Sequence, residues 1–290
     1  MLLPFYSKKI FSKSLLLVKN KSLKFKVFKF IYNNLWFLFK KIHFNFDVIE
    51  IKGKNNDNEF HTIIFPPLIE INKLTMIKFN SDKVFVRKTG FNKTNVQISL
   101  EHNIYKKAFK HIPKVIKYSD YDYNTTLDIE YFQGDYPDKL NNSIYSFFDN
   151  LIKDDKFQIK YHPFYLKMIK KLKNYTKEDS FYKLLESLKV DIENNHQSIS
   201  LSLMHGDFSL TNILENDVDF LIFDWEHAEE DGMPIDINYY HLRLLIDKKQ
   251  NIELKKIEDK LAMMYYLYFI YKNGLTINLE YLNTHIKVVK

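Results

Sequence analysis

The chain contains no cysteine, which excludes a disulfide framework, a thiolate nucleophile and any zinc or iron-sulfur site built on Cys. A reducing cytoplasm is the compartment this composition leads one to expect. Glycine is scarce, at six residues in 290, and proline at seven, so collagen-like and low-complexity architectures drop out. No segment repeats with a period of about 20–50 residues, which removes solenoids and propellers. Arginine is rarer still: Arg87 and Arg243 stand against 41 Lys. Long apolar runs are also missing. In the stretch from Ser14 to Lys41 the longest lysine-free run lies between Lys29 and Lys40, well short of the ~20 apolar residues that cross a bilayer. What remains is a globular composition of 46% hydrophobic and 27% charged residues, with 25 Phe, 20 Tyr and 2 Trp to fill a core. At about 150 residues per domain, the length suits two.

The formal net charge of +7 is not spread evenly. Residues 1–54 hold twelve Lys against Asp47 and Glu50, a net +10, so the remainder of the chain carries −3. A nucleic-acid binder would distribute its cations over the folded domain, and no nucleic-acid partner is expected here. Lysines interleaved with Phe and Trp instead suit an interfacial segment drawn to anionic lipid, each Lys near the surface contributing about 1 kcal/mol. The alternative is that Phe25, Val27, Phe28, Phe30, Ile31, Trp36 and Phe39 pack on the main body and the lysines solvate its outer face. A secretory signal does not fit, because the apolar runs are short and no small-residue cleavage site follows them.

Between His61 and Thr89 the pattern predicts a three-stranded antiparallel meander, with runs at Thr62 to Ile71, Leu74 to Phe79 and Val84 to Arg87. Pro66 and Pro67 cannot donate to a ladder, so the first run is expected at an edge or beginning only after them. Val96 to Phe109 has helical apolar spacing, and Val115 to Tyr118 and Leu127 to Phe132 return to strand. From Tyr136 onward helices dominate: Ser143 to Lys153, Phe164 to Tyr175, Ser180 to Glu193, Ile235 to Asp247, and Ile252 to Lys272, the last closed by Asn273 and Gly274. One strand-like island, Leu201 to Glu226, interrupts them.

That island carries the chemistry. It reads LSLMHGDFSLTNILENDVDFLIFDWE, with its polar residues at the ends of apolar runs. Pairing Asn212 to Leu214 with Phe220 to Phe223 as a hairpin sets Asn212 and Asp224 nearly opposite one another. Two hard oxygen donors then converge on a point suited to Mg²⁺, which completes its shell with water and nucleotide phosphate. Asp207, five residues before Asn212, carries a carboxylate able to orient an acceptor hydroxyl and take its proton. The spacing H-G-D-x-x-x-x-N followed by D-W-E parallels H-R-D-x-x-x-x-N and the metal-binding Asp of D-F-G in protein kinases.

Residues 203–226 resemble the signature of the aminoglycoside phosphotransferase and choline kinase group, the small-molecule branch of the kinase-like fold, with Phe223 in place of the Ile. The resemblance implies an α+β, two-lobed protein-kinase-like fold. Residues 55–135 would form a small β-rich nucleotide-binding lobe, and residues 136–290 a larger, mostly helical lobe with catalytic loop, metal and acceptor sites. Residues 1–54 would be a basic aromatic extension. It implies ATP and Mg as cofactors, Asp207 as base, His205 as brace of the catalytic loop, and Asn212 and Asp224 as metal ligands. Gly232, Pro234 and Asp236 resemble the family's pattern, in which an Asp anchors the start of the next helix. Proteins of bacterial surface-polysaccharide clusters show a similar arrangement, though here the proline-to-aspartate gap is one residue shorter.

Within this frame a cation from the third strand serves the α and β phosphates and is held by a helix carboxylate. Arg87 and Lys88 both remain open for that role, because alternation turns only one of them inward; the family position falls on Arg87, and Glu101 is the natural partner. No G-x-G-x-x-G exists, and residues 66–80 contain no glycine, so Ile71 to Thr75 with Asn72 is assigned to cover the phosphates. Glu130, Tyr131 and Phe132 are read as the hinge meeting the adenine. Asp224, Glu226, Glu229, Glu230 and Asp231 form an acidic cluster that would steer a cationic acceptor such as an aminoglycoside, choline or an amino sugar. The expected activity is transfer of the γ-phosphoryl group to a hydroxyl of a small molecule or sugar, in the cytoplasm or on the inner membrane face through residues 1–45. The alternative is a catalytically inactive kinase-fold binding protein or a membrane-peripheral assembly protein.

Overall fold

The computed structural model describes residues 61–65, 73–79, 82–91, 94–173, 179–275 and 279–289. The basic extension 1–54 and Asn72 lie outside the described residues. The chain divides into two compact units, one ending at Pro137 but including Thr211–Glu226, the other comprising Asp138–Leu210 and His227–Lys290.

The first unit is built on a five-stranded antiparallel sheet. Its strands are β1 (His61–Phe65), β2 (Lys73–Phe79), β3 (Val84–Phe91), β4 (Val115–Asp120) and β5 (Asn124–Glu130), in the order β1-β2-β3-β5-β4. The expected meander is present. Strand β1 is at the edge and stops at Phe65, directly before the two prolines, where a missing N–H costs least. Helix α1 (Thr94–Tyr105) follows β3; the Thr94 hydroxyl ties its start to Phe91, accepting that residue's N–H at 2.8 Å and donating to its carbonyl at 3.0 Å. Ile98 and Ile104 of the helix join Ile77, Phe79, Leu127 and Ile129 among the buried hydrophobics.

Residues 211–226 supply this unit's second sheet. Ile213–Glu215 pairs with Phe220–Ile222 as an antiparallel hairpin in the register Ile213↔Ile222, Leu214↔Leu221, Glu215↔Phe220. Its turn is closed by the Asn216 side chain, whose Oδ1 accepts the N–H groups of Val218 and Asp219 at 3.0 and 2.9 Å, the local bonding that makes Asn a turn former. Asp135 and Glu215 exchange both main-chain hydrogen bonds at 2.8 Å, and the Ile222 N–H donates to the His111 carbonyl at 2.8 Å. The hairpin is thereby bonded to the unit that holds the larger sheet.

The second unit contains α2 (Asn142–Asp149), β6 (Ile152–Gln158), α3 (Pro163–Leu172), α4 (Asp179–Glu193) and β7 (Ser198–Met204). The hairpin strands count as β8 and β9. There follow β10 (Glu229–Gly232), α5 (Asp236–Asp247), β11 (Ile252–Leu254), α6 (Ile257–Lys272), α7 (Leu279–His285) and β12 (Ile286–Val288). Two expected helices are shorter than their patterns suggested. The first ends at Asp149, and the mostly exposed residues 152–158 form a strand on the edge of a β10-β7-β6 sheet. The last begins at Ile257 because Ile252–Leu254 is instead paired in parallel with β12. Helix α6 is apolar on nearly every side, with Leu261, Ala262, Met263, Met264, Tyr265 and Leu267 all buried, as a helix through the middle of a core must be. Among the described residues, no helix is long and apolar enough to cross a membrane.

Candidate active site

In the first unit, strand register sends Arg87 and Lys88 to different partners. Arg87 lies directly opposite Asp128 across β3 and β5 and is bound to it by Nε–Oδ1 and Nη2–Oδ2 contacts of 2.6 and 2.8 Å. Lys88, one residue on, points to the other face. Its ammonium is buried, donates to Oε1 of Glu101 on α1, and lies 2.9 Å from Oδ1 of Asp224. Tyr105, one helical turn beyond Glu101, donates its hydroxyl to the same Oε1 and accepts the Asp224 N–H at 3.2 Å.

Asp224 follows the hairpin in a left-handed backbone conformation, φ 71°, which Asp tolerates better than most residues. The Phe223 N–H donates to the Asn212 carbonyl at 3.0 Å, so Asn212 and Asp224 leave the hairpin side by side. A second ammonium, that of Lys73 at the start of β2, lies 3.2 Å from Oδ1 of Asp224 and also donates to Oε2 of Glu226. Burial alone would raise the Asp224 carboxyl, but Lys88 and Lys73 outweigh it and hold it well below the usual carboxylate range. Burial, with the Asp224 charge behind it, pushes Glu226 up to about 7. For Lys88, burial is outweighed by Asp224 and Glu101, and its pKa rises above that of an ordinary lysine. A pair buried as deeply as Lys88–Glu101 adds little net stability, so the concentration of charge around it marks a functional-site candidate.

In the second unit, β7 delivers His205-Gly206-Asp207. Gly206 has φ +86°, and a Cβ there would sit 2.3 Å from the His227 carbonyl oxygen, so only glycine makes this turn. Asp236, the first residue of α5, accepts the His205 N–H on Oδ2 at 2.9 Å and the Gly206 N–H on Oδ1 at 3.0 Å. Tyr265 of α6 donates to the Gly206 carbonyl at 2.6 Å. The fully buried His205 ring accepts the Asp207 N–H on Nδ1 at 3.3 Å. Asp236 is pushed up to about 7 by burial, against the two N–H donors and with the Asp207 charge adding to the rise. The Asp207 carboxylate is ion-paired with Arg243 of α5, whose guanidinium lies over the Tyr239 ring at 5.5 Å.

The first unit therefore brings together Lys88, Glu101, Asp224 and the backbone of Asn212, while Arg87 pairs away on the other face of the sheet. Glu130 ends β5 exposed, with its N–H on the Lys114 carbonyl at 2.9 Å; the half-buried Phe132 leads to Gly134, where a Cβ would meet the Glu215 carbonyl at 2.7 Å. His205 and Asp207 share the loop of the second unit. Sequence reasoning did not single out Lys73, Tyr105, Arg243 or Tyr265; only Arg243 had left a signal, the scarcity of its residue type. The acidic cluster also changes character. Glu229 is paired with Lys167 and, at 3.5 Å, with Lys272, and Asp231 is 2.8 Å from Lys153.

Among the described residues, no three His, Asp or Glu side chains form a ready-made metal cage. The Asp224 carboxylate, with the Asn212 main chain adjoining it through the hairpin, is nonetheless the kind of hard-oxygen donor that suits a Mg²⁺ arriving with phosphate.

No family profile matches the chain, and no curated protein matches it in sequence. Solved structures do. A thermostable variant of aminoglycoside phosphotransferase APH(4)-Ia, in a ternary complex with ADP and hygromycin B, superposes with a TM-score of 0.51 at 12% identity, covering 73% of this chain and 84% of that one. The fold is that of an aminoglycoside phosphotransferase. The apo form of the same enzyme gives 0.50 at 12% identity over 73% and 85%. A putative fructosamine-3-kinase from Haemophilus somnus 129PT gives 0.47 at 12% identity over 77% and 88%.

Proposed function

We propose that the protein is an ATP-dependent phosphotransferase that moves the γ-phosphoryl group to a hydroxyl of a small molecule or sugar. The acceptor oxygen forms a bond to the γ phosphorus as the bridging oxygen leaves with ADP, and the hydroxyl proton passes to Asp207. Asp224 and Asn212 would hold Mg²⁺, which when bound neutralises charge on the phosphates. Lys88, held by Glu101, contributes a fixed cation for the phosphate chain, and the Glu130 to Phe132 main chain meets the adenine. Asp236, Tyr265 and His205 fix the Asp207 loop, and Arg243 orients its carboxylate.

The observation that carries this reading is the buried Lys88–Glu101 pair with Lys88 also on Asp224, a cation aligned on the residue that begins D-W-E. Pairing of Glu229 and Asp231 with lysines of the same unit removes most of the negative field that would have steered a cationic acceptor, so a neutral hydroxyl compound or saccharide suits the site equally. The aminoglycoside phosphotransferase of the same fold binds ADP, in keeping with ATP as donor. Residues 1–45 are read either as a basic contact with anionic membrane or as a segment packed on the main body.

An acceptor screen with ATP and Mg²⁺, following ADP release from aminoglycosides, choline, ethanolamine and free sugars, tests the activity. Asp207→Asn should abolish turnover while leaving nucleotide affinity within about twofold; normal turnover in that variant rejects the assignment.

A further inference from the structure

Lys73 was not needed to recognise the site, yet its ammonium is one of two that converge on a single carboxylate oxygen of Asp224. The convergence follows from the sheet. Thr75 lies opposite Lys88 in the β2–β3 register, and Lys73, two residues before Thr75, is on the same face as both, a diagonal neighbour of Lys88. The Lys73 side chain is only 16% exposed and is held by two carboxylates, those of Asp224 and Glu226. Confining two ammonium groups side by side costs electrostatic free energy. Burial and the Lys88 charge weaken the hold of Lys73 on its proton, and the facing carboxylates of Asp224 and Glu226 more than restore it, so the arrangement persists because of those anionic groups.

A kinase fold normally surrounds the β and γ phosphates with backbone N–H groups of a glycine-rich loop, whose close approach depends on the absence of side chains. This chain has no glycine between residues 66 and 80. A long, flexible lysine side chain inside that segment, at the start of β2, would reach a phosphate without requiring the backbone to approach. We propose that Lys73 is a second phosphate-binding cation that takes over this task. Its ammonium rests on Asp224 and Glu226 when no nucleotide is present and transfers to the β and γ phosphate oxygens when one is. The exchange preserves charge pairing, since an incoming triphosphate supplies Lys73 with new oxygens while Asp224 becomes available to the accompanying cation.

This inference rests on the phosphotransferase reading, and the test separates the two. Calorimetric titration of the full chain with ATP, ADP, AMP and adenosine gives an affinity series, repeated for Lys73→Gln and Lys73→Arg. In Lys73→Gln the affinities for ATP and ADP should fall roughly tenfold or more, the size of a charged hydrogen bond, with AMP and adenosine within about twofold. Lys73→Arg, which keeps the charge, should recover most of the loss and controls for folding. An unchanged ratio of ATP to adenosine affinity in Lys73→Gln overturns the role of Lys73 while leaving the kinase reading intact, as does an equal loss for all four ligands. Absence of any nucleotide binding by the unaltered chain overturns both.

Discussion

Removing the Lys88 ammonium should reveal whether the charge network in the first unit stabilises the protein or serves its chemistry. In Lys88→Met, Glu101 keeps a carboxylate with no exposed surface. Its Oε2 already lacks a hydrogen-bond partner, and Oε1 retains the Tyr105 hydroxyl. Breaking a buried pair from one side costs about 3–5 kcal/mol, and for a chain of this size each kcal/mol lowers Tm by roughly 2–4 °C, so the variant should melt about 6–20 °C lower. Lys88→Met/Glu101→Leu removes both charges and fills the site with carbon. It should recover about half of the loss, because buried pairs seldom outperform well-packed apolar replacements, while the buried Tyr105 hydroxyl loses its acceptor and Asp224 loses Lys88. Urea unfolding followed by circular dichroism measures the cycle, and phosphotransfer is assayed in parallel. The double variant should be more stable than the single one and inactive. The reasoning fails if the double variant is as unstable as the single one, or if it retains turnover.

Three further outcomes are expected. Gly206→Ala must place a methyl group against the His227 carbonyl at positive φ, and should lose about 2–4 kcal/mol in urea unfolding; a loss under 1 kcal/mol would show that the turn can relax. Arg243→Gln, which removes the partner of Asp207, should lower kcat roughly tenfold with KM for ATP unchanged, as expected when a reacting group loses its orientation; a matching rise in KM alone would refute this. Because Asp236 is raised to about 7 in the folded protein, the native state binds a proton between pH ~4 and 7 that the unfolded chain has released. Its contribution to stability therefore falls as pH rises through that window and is constant above it. The unfolding free energy of the parent minus that of Asp236→Asn should decline from pH 4.5 to 7, and a flat or rising difference would contradict the assignment.

The hairpin and its consequences were legible because short-range rules govern them. Asn216 and Asp217 mark a turn, apolar runs flank it, and the count along each arm brings Asn212 and Asp224 to the same end. The choice between Arg87 and Lys88 was not legible, since alternation says only that they face opposite ways. The decision lies in which residue stands across the next strand, Asp128 for Arg87, and that pairing depends on a register set some forty residues away in sequence. The stretch from Ile71 to Thr75 was assigned to the phosphates through Asn72, and Lys73 within it escaped because one lysine among 41 carries no statistical signal. Tyr105 and Tyr265 were hidden among 20 tyrosines, their roles fixed by tertiary partners. The strand at 152–158 was not legible, its first two residues being read as the end of a helix, since an edge strand has only one neighbour and buries little to reveal its period.

The placement of residues 211–226 in the first unit has a practical consequence for dissecting the molecule. The polypeptide passes from one body to the other at 137/138, again at 210/211 and a third time at 226/227, so no single proteolytic nick can liberate either as an intact fragment. Expressing the first 137 residues alone would strand the main chain of Asp135 without its Glu215 bonds and discard the segment bearing Asn212 and Asp224. A split version that keeps the first unit whole would have to transplant the hairpin onto that fragment through a new linker, and, on the proposed phosphotransferase reading, recovery of ATP affinity would be the measure of success.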